Sequence, residues 1–184
     1  MKRKNRLQSK YRREITTPRY TLICEGATEQ HYFEHLNKLG KTSVAIKNNN
    51  CKKNTKTDDI EYKIKEVLAN HGRALCVFDD DVEEIRNFLD KYKDNKRVLI
   101  CNSMPSIEYW FLLHYTNKNG KISAKDALKN LQEYIPNYDK TVKFLRQEKW
   151  VADMLPHLDD ACLRAKNNTD QHSYSNVYKI FEQQ

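Results

Sequence analysis

Four short apolar runs, spaced so that a helical pattern fits between each pair, are the feature that most limits what this chain can fold into. They are Tyr20-Thr21-Leu22-Ile23-Cys24, a brief run over 43–47, Ala74-Leu75-Cys76-Val77-Phe78 and Arg97-Val98-Leu99-Ile100-Cys101. Each has the length and composition of a buried strand. Between them Tyr32, Phe33, Leu36 and Leu39 recur at helical spacing, then Ile60, Ile64, Val67 and Leu68, then Ile85, Phe88, Leu89 and Tyr92. Such alternation predicts an α/β fold, a small parallel four-stranded sheet flanked by helices. The polar stretch 48–56 has no apolar period and reads as a surface loop. From Pro105 onward no strand is expected. Helical patterns run over 105–115, 123–135, 139–147, 150–166 and 174–182, punctuated by Pro105, Pro136 and Pro156. The expected organisation is an arm over 1–19, an α/β core over 20–116 and a C-terminal helical extension over 117–184 packed on the core.

The first run ends in Glu25 and the third in Asp79-Asp80-Asp81. Strand carboxyl ends are where α/β folds build ligand sites. Alternation puts Asp79 and Asp81 on one side of an extended backbone and Asp80 on the other. Carboxylates held that close repel unless a proton or cation compensates them, and hard divalent ions take oxygen ligands. The competing reading is that the triplet caps the next helix, a task for which Asp80 alone would suffice. Glu29, one turn into the helix after Glu25, either joins the acidic group or favours the first helical turn. Glu108 lies among aromatics and leucines, where an unpaired carboxylate is costly, so it pairs with an internal Lys or Arg or faces the cluster. Lys140 either stabilises charge on a phosphate or is a solvated surface lysine. Ser103 and Ser106 are candidate caps for a helix beginning at Pro105, and Trp110, Leu112, Leu113 and His114 read as packing residues.

The remaining bulk features narrow the class. No segment approaches the ~20 apolar residues that span a bilayer, and no hydrophobic leader opens the chain. The five cysteines (24, 51, 76, 101 and 162) show no paired spacing, which argues for a reducing cytoplasm and against zinc. Residues 1–19 hold eight Lys/Arg and one acid, so +7 of the formal +8 sits there. Lys2, Arg3, Lys4, Arg6, Lys10, Arg12 and Arg13 are the candidate nucleic-acid contacts, through the phosphate backbone. A solubilising tail is the other reading of the arm.

Several blocks carry a resemblance. Cys24-Glu25-Gly26-Ala27-Thr28-Glu29 with Tyr32-Phe33, Val77-Phe78-Asp79-Asp80-Asp81, Asn102 to Tyr115, Tyr138-Asp139-Lys140 and Ser175-Asn176-Val177-Tyr178 together resemble the RloB-like family over roughly residues 20 to 182. That family consists of Toprim-related proteins of bacterial restriction and phage-defence loci. Met104 departs from its pattern, standing where Ser or Asn usually precedes Pro directly. The resemblance implies a Toprim-like sheet and a Mg2+ (or Mn2+) site built from Glu25, Glu29, Asp79, Asp81 and Glu108. It implies phosphodiester hydrolysis of DNA or RNA, with Glu25, Asp79, Asp81, Glu108 and Lys140 as catalytic residues. A companion ATPase or restriction component is the implied protein partner. Two alternatives stand beside it. One is a non-catalytic module that binds nucleic acid or a partner. The other is a phosphohydrolase using the Asp-x-Asp pair directly, against which a complete βα unit precedes the pair.

Overall fold

The computed structural model describes residues 19–46, 56–118 and 120–183. Its first half is the expected alternation: β1 (Tyr20–Cys24), α1 (Ala27–Lys38), β2 (Val44–Ala45), α2 (Thr57–Ala69), β3 (Ala74–Val77), α3 (Glu83–Asp90) and β4 (Val98–Ile100). Among the described residues these strands form one all-parallel sheet in the order β2-β1-β3-β4. Helix α1 ends at Lys38, and the turn that follows passes through Gly40, whose φ of +70° suits a residue without a Cβ.

Alternation sorts the strand side chains onto two faces. Leu22, Cys24, Leu75 and Val77 join the larger apolar cluster, with α1 and the C-terminal helices. Ile23, Ala74, Cys76 and Phe78 join a smaller one, beneath Ile60, Ile64 and Val67 of α2 and Ile85, Phe88 and Leu89 of α3. Because Val77 faces the large cluster and Phe78 the small one, the next two residues, Asp79 and Asp80, are sent to opposite faces.

Beyond the sheet come β5 (Ser103–Met104), α4 (Ile107–Leu113), α5 (Ala124–Tyr134), α6 (Val142–Leu145), α7 (Lys149–Met154), a 3-10 turn (Leu155–His157), α8 (Leu158–Asn167), β6 (Tyr174–Ser175) and a 3-10 stretch (Val177–Gln183). Every residue of α4 is buried, and fully burying a large apolar side chain stabilises by about 1.5–3 kcal/mol. Trp110 donates through Nε1 to the Tyr32 hydroxyl at 2.8 Å, which satisfies both polar atoms inside the core and ties α4 to α1. Trp110, Leu112 and Leu113 are therefore core, as expected.

The second half corrects three expectations. A strand does follow Pro105: β6 pairs antiparallel with β5, in the register Ser103↔Ser175 and Met104↔Tyr174. Such two-residue pairings lack enough alternation to show in a sequence. The long helix expected over 150–166 breaks at Leu155–His157, where Pro156 cannot donate to the helical ladder. The helix expected over 139–147 shrinks to Val142–Leu145, capped by the Thr141 hydroxyl.

Candidate functional site

The tip of β3 is held extended past its last strand residue. Ser103 N–H donates to the Phe78 carbonyl (3.1 Å) and Asp80 N–H to the Ser103 carbonyl (2.8 Å), so β5 pins Asp79 and Asp80 in place. On the large-cluster face, the Asp79 carboxylate accepts the Ile107 N–H at 2.9 Å. That donor belongs to the first turn of α4, where helical partners are lacking. Asp79 thus caps α4, a helix distant in sequence, rather than the helix that follows it.

Two further carboxyls share this environment. Glu29 sits in the first turn of α1 and curls back so that Oε2 accepts the Gly26 N–H at 3.0 Å. A Cβ at Gly26 would lie 2.8 Å from the same oxygen, so any larger residue there would displace the Glu29 carboxyl from this position. Glu108, fully buried on α4, accepts from the Ser106 hydroxyl (2.7 Å) and the Tyr138 hydroxyl (3.2 Å). Lys140 Nζ lies 2.9 Å from Glu108 Oε1, its side chain 51% exposed. Both sequence readings of Glu108 therefore hold together: it pairs with a lysine and it faces the acidic group.

The electrostatics mark this as a strained neighbourhood. Burial, reinforced by Glu29 and Glu108, pushes Asp79 up to about 8. Burial, with Glu108 adding to it, pushes Glu29 up to about 7. Lys140 opposes both shifts. Burial works to lower the lysine's own pKa, but the surrounding carboxyls, Glu108 foremost, outweigh it and hold the ammonium charged. The Tyr138 phenol is raised by burial and then by Glu108, so it remains a donor.

The remaining expected ligands lie at the margin. The register Cys24↔Val77 makes Glu25 the next residue of β1 beside Phe78, and it is half-buried. Asp81 is exposed in the turn beyond β3. The strongest charge effects on Asp79 come from Glu29 and Glu108. A hard cation suits an oxygen-only donor set of this kind. As the side chains stand, however, no group of three or more His, Cys, Asp or Glu is arranged to hold a metal ion among the described residues. The donors fit the ion in chemistry, while Lys140 occupies Glu108.

On the opposite face Asp80 is 1% exposed and accepts from the Tyr174 hydroxyl. Its Oδ1 lies 3.4 Å from Arg86 Nε, and Arg86 also donates to the Asp80 carbonyl at 2.7 Å. The cap position of α3 is Val82, with no side-chain cap. Asp80 is therefore not the helix cap expected of it; the turn leaves α3 starting too late for its carboxylate to reach the first N–H groups. Ser106 does stand at the N-cap position of α4, but its hydroxyl makes no capping bond and donates to Glu108 instead, while Ser103 bonds Ser175 (2.9 Å). Burial pushes His114 down to about 4, and its Nδ1 lies 3.1 Å from the Trp110 carbonyl, so it is a neutral packing histidine.

Ser106, read from the sequence as a helix cap, and Tyr138, noted there only within the Tyr138-Asp139-Lys140 block, are the residues whose hydroxyls bond Glu108. The arm residues Lys2, Arg3, Lys4, Arg6, Lys10, Arg12 and Arg13 lie outside the described residues. No helix among the described residues is long and apolar enough to cross a membrane. In comparisons with known proteins, a family model described as RloB-like protein matches residues 20–183, nearly the whole chain. No curated protein and no solved structure matches.

Proposed function

We propose, from the premise that this chain belongs to the RloB-like family over residues 20–183, that it is a Mg2+-dependent nuclease acting on DNA or RNA. The observation that carries the reading is the meeting of Asp79, Glu29 and Glu108 beside Lys140, in surroundings that push two of the three carboxyls up to about 7 and 8. Perturbed carboxyls grouped at a strand end are a functional-site signature. Asp79, Glu29 and Glu108, with Glu25 and Asp81 at the margin, would hold the ion, which supplies Lewis acidity toward a phosphodiester.

The chain's own residues have defined tasks in this reading. The Ile107 N–H fixes the direction of Asp79. Ser106 and Tyr138 fix Glu108. Lys140, half-exposed and charged, offers its ammonium to a phosphate oxygen as negative charge builds. Glu29 can hold or release a proton near neutral pH. A role in anti-phage defence, beside a companion ATPase or restriction component, belongs to the same proposal. The Lys140–Glu108 pair favours a second reading, a nucleic-acid or partner-binding module whose acidic site is structural.

The discriminating experiment is cleavage of single- and double-stranded DNA and RNA with and without Mg2+ or Mn2+. Asp79→Ala and Asp81→Ala are each expected to lower divalent-dependent cleavage by at least ~10²-fold while the protein stays folded. Full cleavage in both variants refutes the nuclease reading, and binding without cleavage in the unaltered chain supports the second.

A further inference from the structure

The face of β3 turned away from the acidic group holds a separate opening. Asp80 and Arg86 line a groove of about 490 Å³ beside β4, the outer strand of the sheet. A second hollow of about 450 Å³ continues from it along the C-terminal segment, sharing Arg86, Tyr174 and Asn176. Each falls within the ~300–1,000 Å³ of small-ligand sites.

The chemistry of the lining is specific. Lys93 and Lys179 border the groove, and neither forms an ion pair among the described residues. With Arg86 they set three cations against two carboxylates, Asp80 and Asp90, and Asp80 is already bound to Arg86. The amides of Asn102 and Asn176 are joined at 2.8 Å and line the groove together with Tyr174. At its floor Asp80 Oδ1 and Arg86 Nε form an ion pair at 3.4 Å, so Lys93 and Lys179 carry the excess positive charge of the lining over Asp90. An apolar occupant would leave the two lysines without a counter-charge, whereas an anion with further hydrogen-bonding groups complements both them and the paired amides.

We propose that this groove binds a nucleoside phosphate, with the phosphate on Lys93 and Lys179 and the sugar or base against Asn102, Asn176 and Tyr174. Ammonium–phosphate contacts are charge-assisted and do not depend on a metal. The site is distinct from the acidic group and stands without the nuclease reading. Its ligand is either a free nucleotide or one nucleotide of a bound strand.

The test is a titration of the full chain in EDTA, with adenosine and guanosine 5′-monophosphates, a short single-stranded RNA and inorganic phosphate as probes. Saturable binding of a nucleotide probe is expected, weakened about tenfold in Lys93→Gln and in Lys179→Gln, the loss of one charge-assisted contact. Binding of a mononucleotide identifies a free nucleotide, and binding of the RNA alone identifies a strand. An equal melting temperature in the two variants excludes a folding defect. The proposal is overturned if no nucleotide probe saturates, if affinity is unchanged in both variants, or if inorganic phosphate binds as tightly as the nucleotides. Because EDTA suppresses metal-dependent cleavage, these outcomes are independent of whether the protein is a nuclease.

Discussion

On one side of the β3 tip, Asp79 meets Glu29 and Glu108, with Lys140 beside them among the described residues. On the other, its neighbour Asp80 meets Arg86 and Tyr174. The two residues have the same side chain and adjoining peptide groups, yet one faces like charges and the other complementary partners. Burial raises the pKa of both, but Arg86 and Asn102 pull Asp80 back whereas Glu29 and Glu108 push Asp79 further. The difference teaches that carboxylate chemistry alone does not define a site. The Asp80 side fastens the C-terminal segment to the sheet, and on the Asp79 side like charges crowd together, with Lys140 paired to Glu108.

The largest effect on stability is expected on the fastened side. Asp80→Ala removes the acceptor of the Tyr174 hydroxyl and the ion-pair partner of Arg86, which keeps only the Asp80 carbonyl, and chemical denaturation should show a loss of roughly 2 kcal/mol, discounted for the partial exposure of Arg86. In a domain of this size that lowers the melting temperature by roughly 4–8 °C. An unchanged melting temperature would erase the contrast between the two aspartates.

An intermediate effect belongs to pH on the crowded side. A carboxyl whose folded-state pKa exceeds its unfolded value binds its proton more tightly when folded, so it disfavours folding once pH passes the unfolded value. Asp79 rises from 3.8 to about 8 and Glu29 from 4.5 to about 7. Thermal melts of the metal-free protein should therefore show stability falling as pH rises through this window, from about 4 to about 8. Asp79→Asn should flatten the slope, and Mg2+ added at pH 8 should recover the stability only when Asp79 is present. A rising or flat profile in the unaltered protein would contradict the crowding of these carboxyls.

The smallest effect concerns Lys140, the counter-charge beside them among the described residues. Lys140→Gln leaves Glu108 bonded to Ser106 and Tyr138, so the loss should be only about 1 kcal/mol given the exposure of the lysine. A Lys140 that also touches phosphate would lower cleavage far more than this stability change. Equal and small effects on both would make it a structural partner of Glu108.

Much of the fold is legible from residue order because its cause is local. The runs Tyr20–Cys24 and Ala74–Val77, and the helical spacing of Ile60, Ile64 and Val67, carry their periodicity within a few residues. Helix breaks at Pro156 are legible in principle for the same reason, although the pattern over 150–166 conceals them. The pairing of β5 with β6 is not, since four residues leave no pattern to read.

The candidate site divides along the same line. Alternation alone separates Asp79 from Asp80, and the burial of Glu108 among leucines and aromatics signals that it needs a partner. That the partner is Lys140, that Tyr138 and Ser106 orient it, and that Tyr174 reaches Asp80 across 94 positions follow only from packing. Local periodicity is written into neighbouring residues, whereas the meeting of distant side chains depends on how whole helices settle on the sheet, and so only the folded chain decides which charges are neighbours.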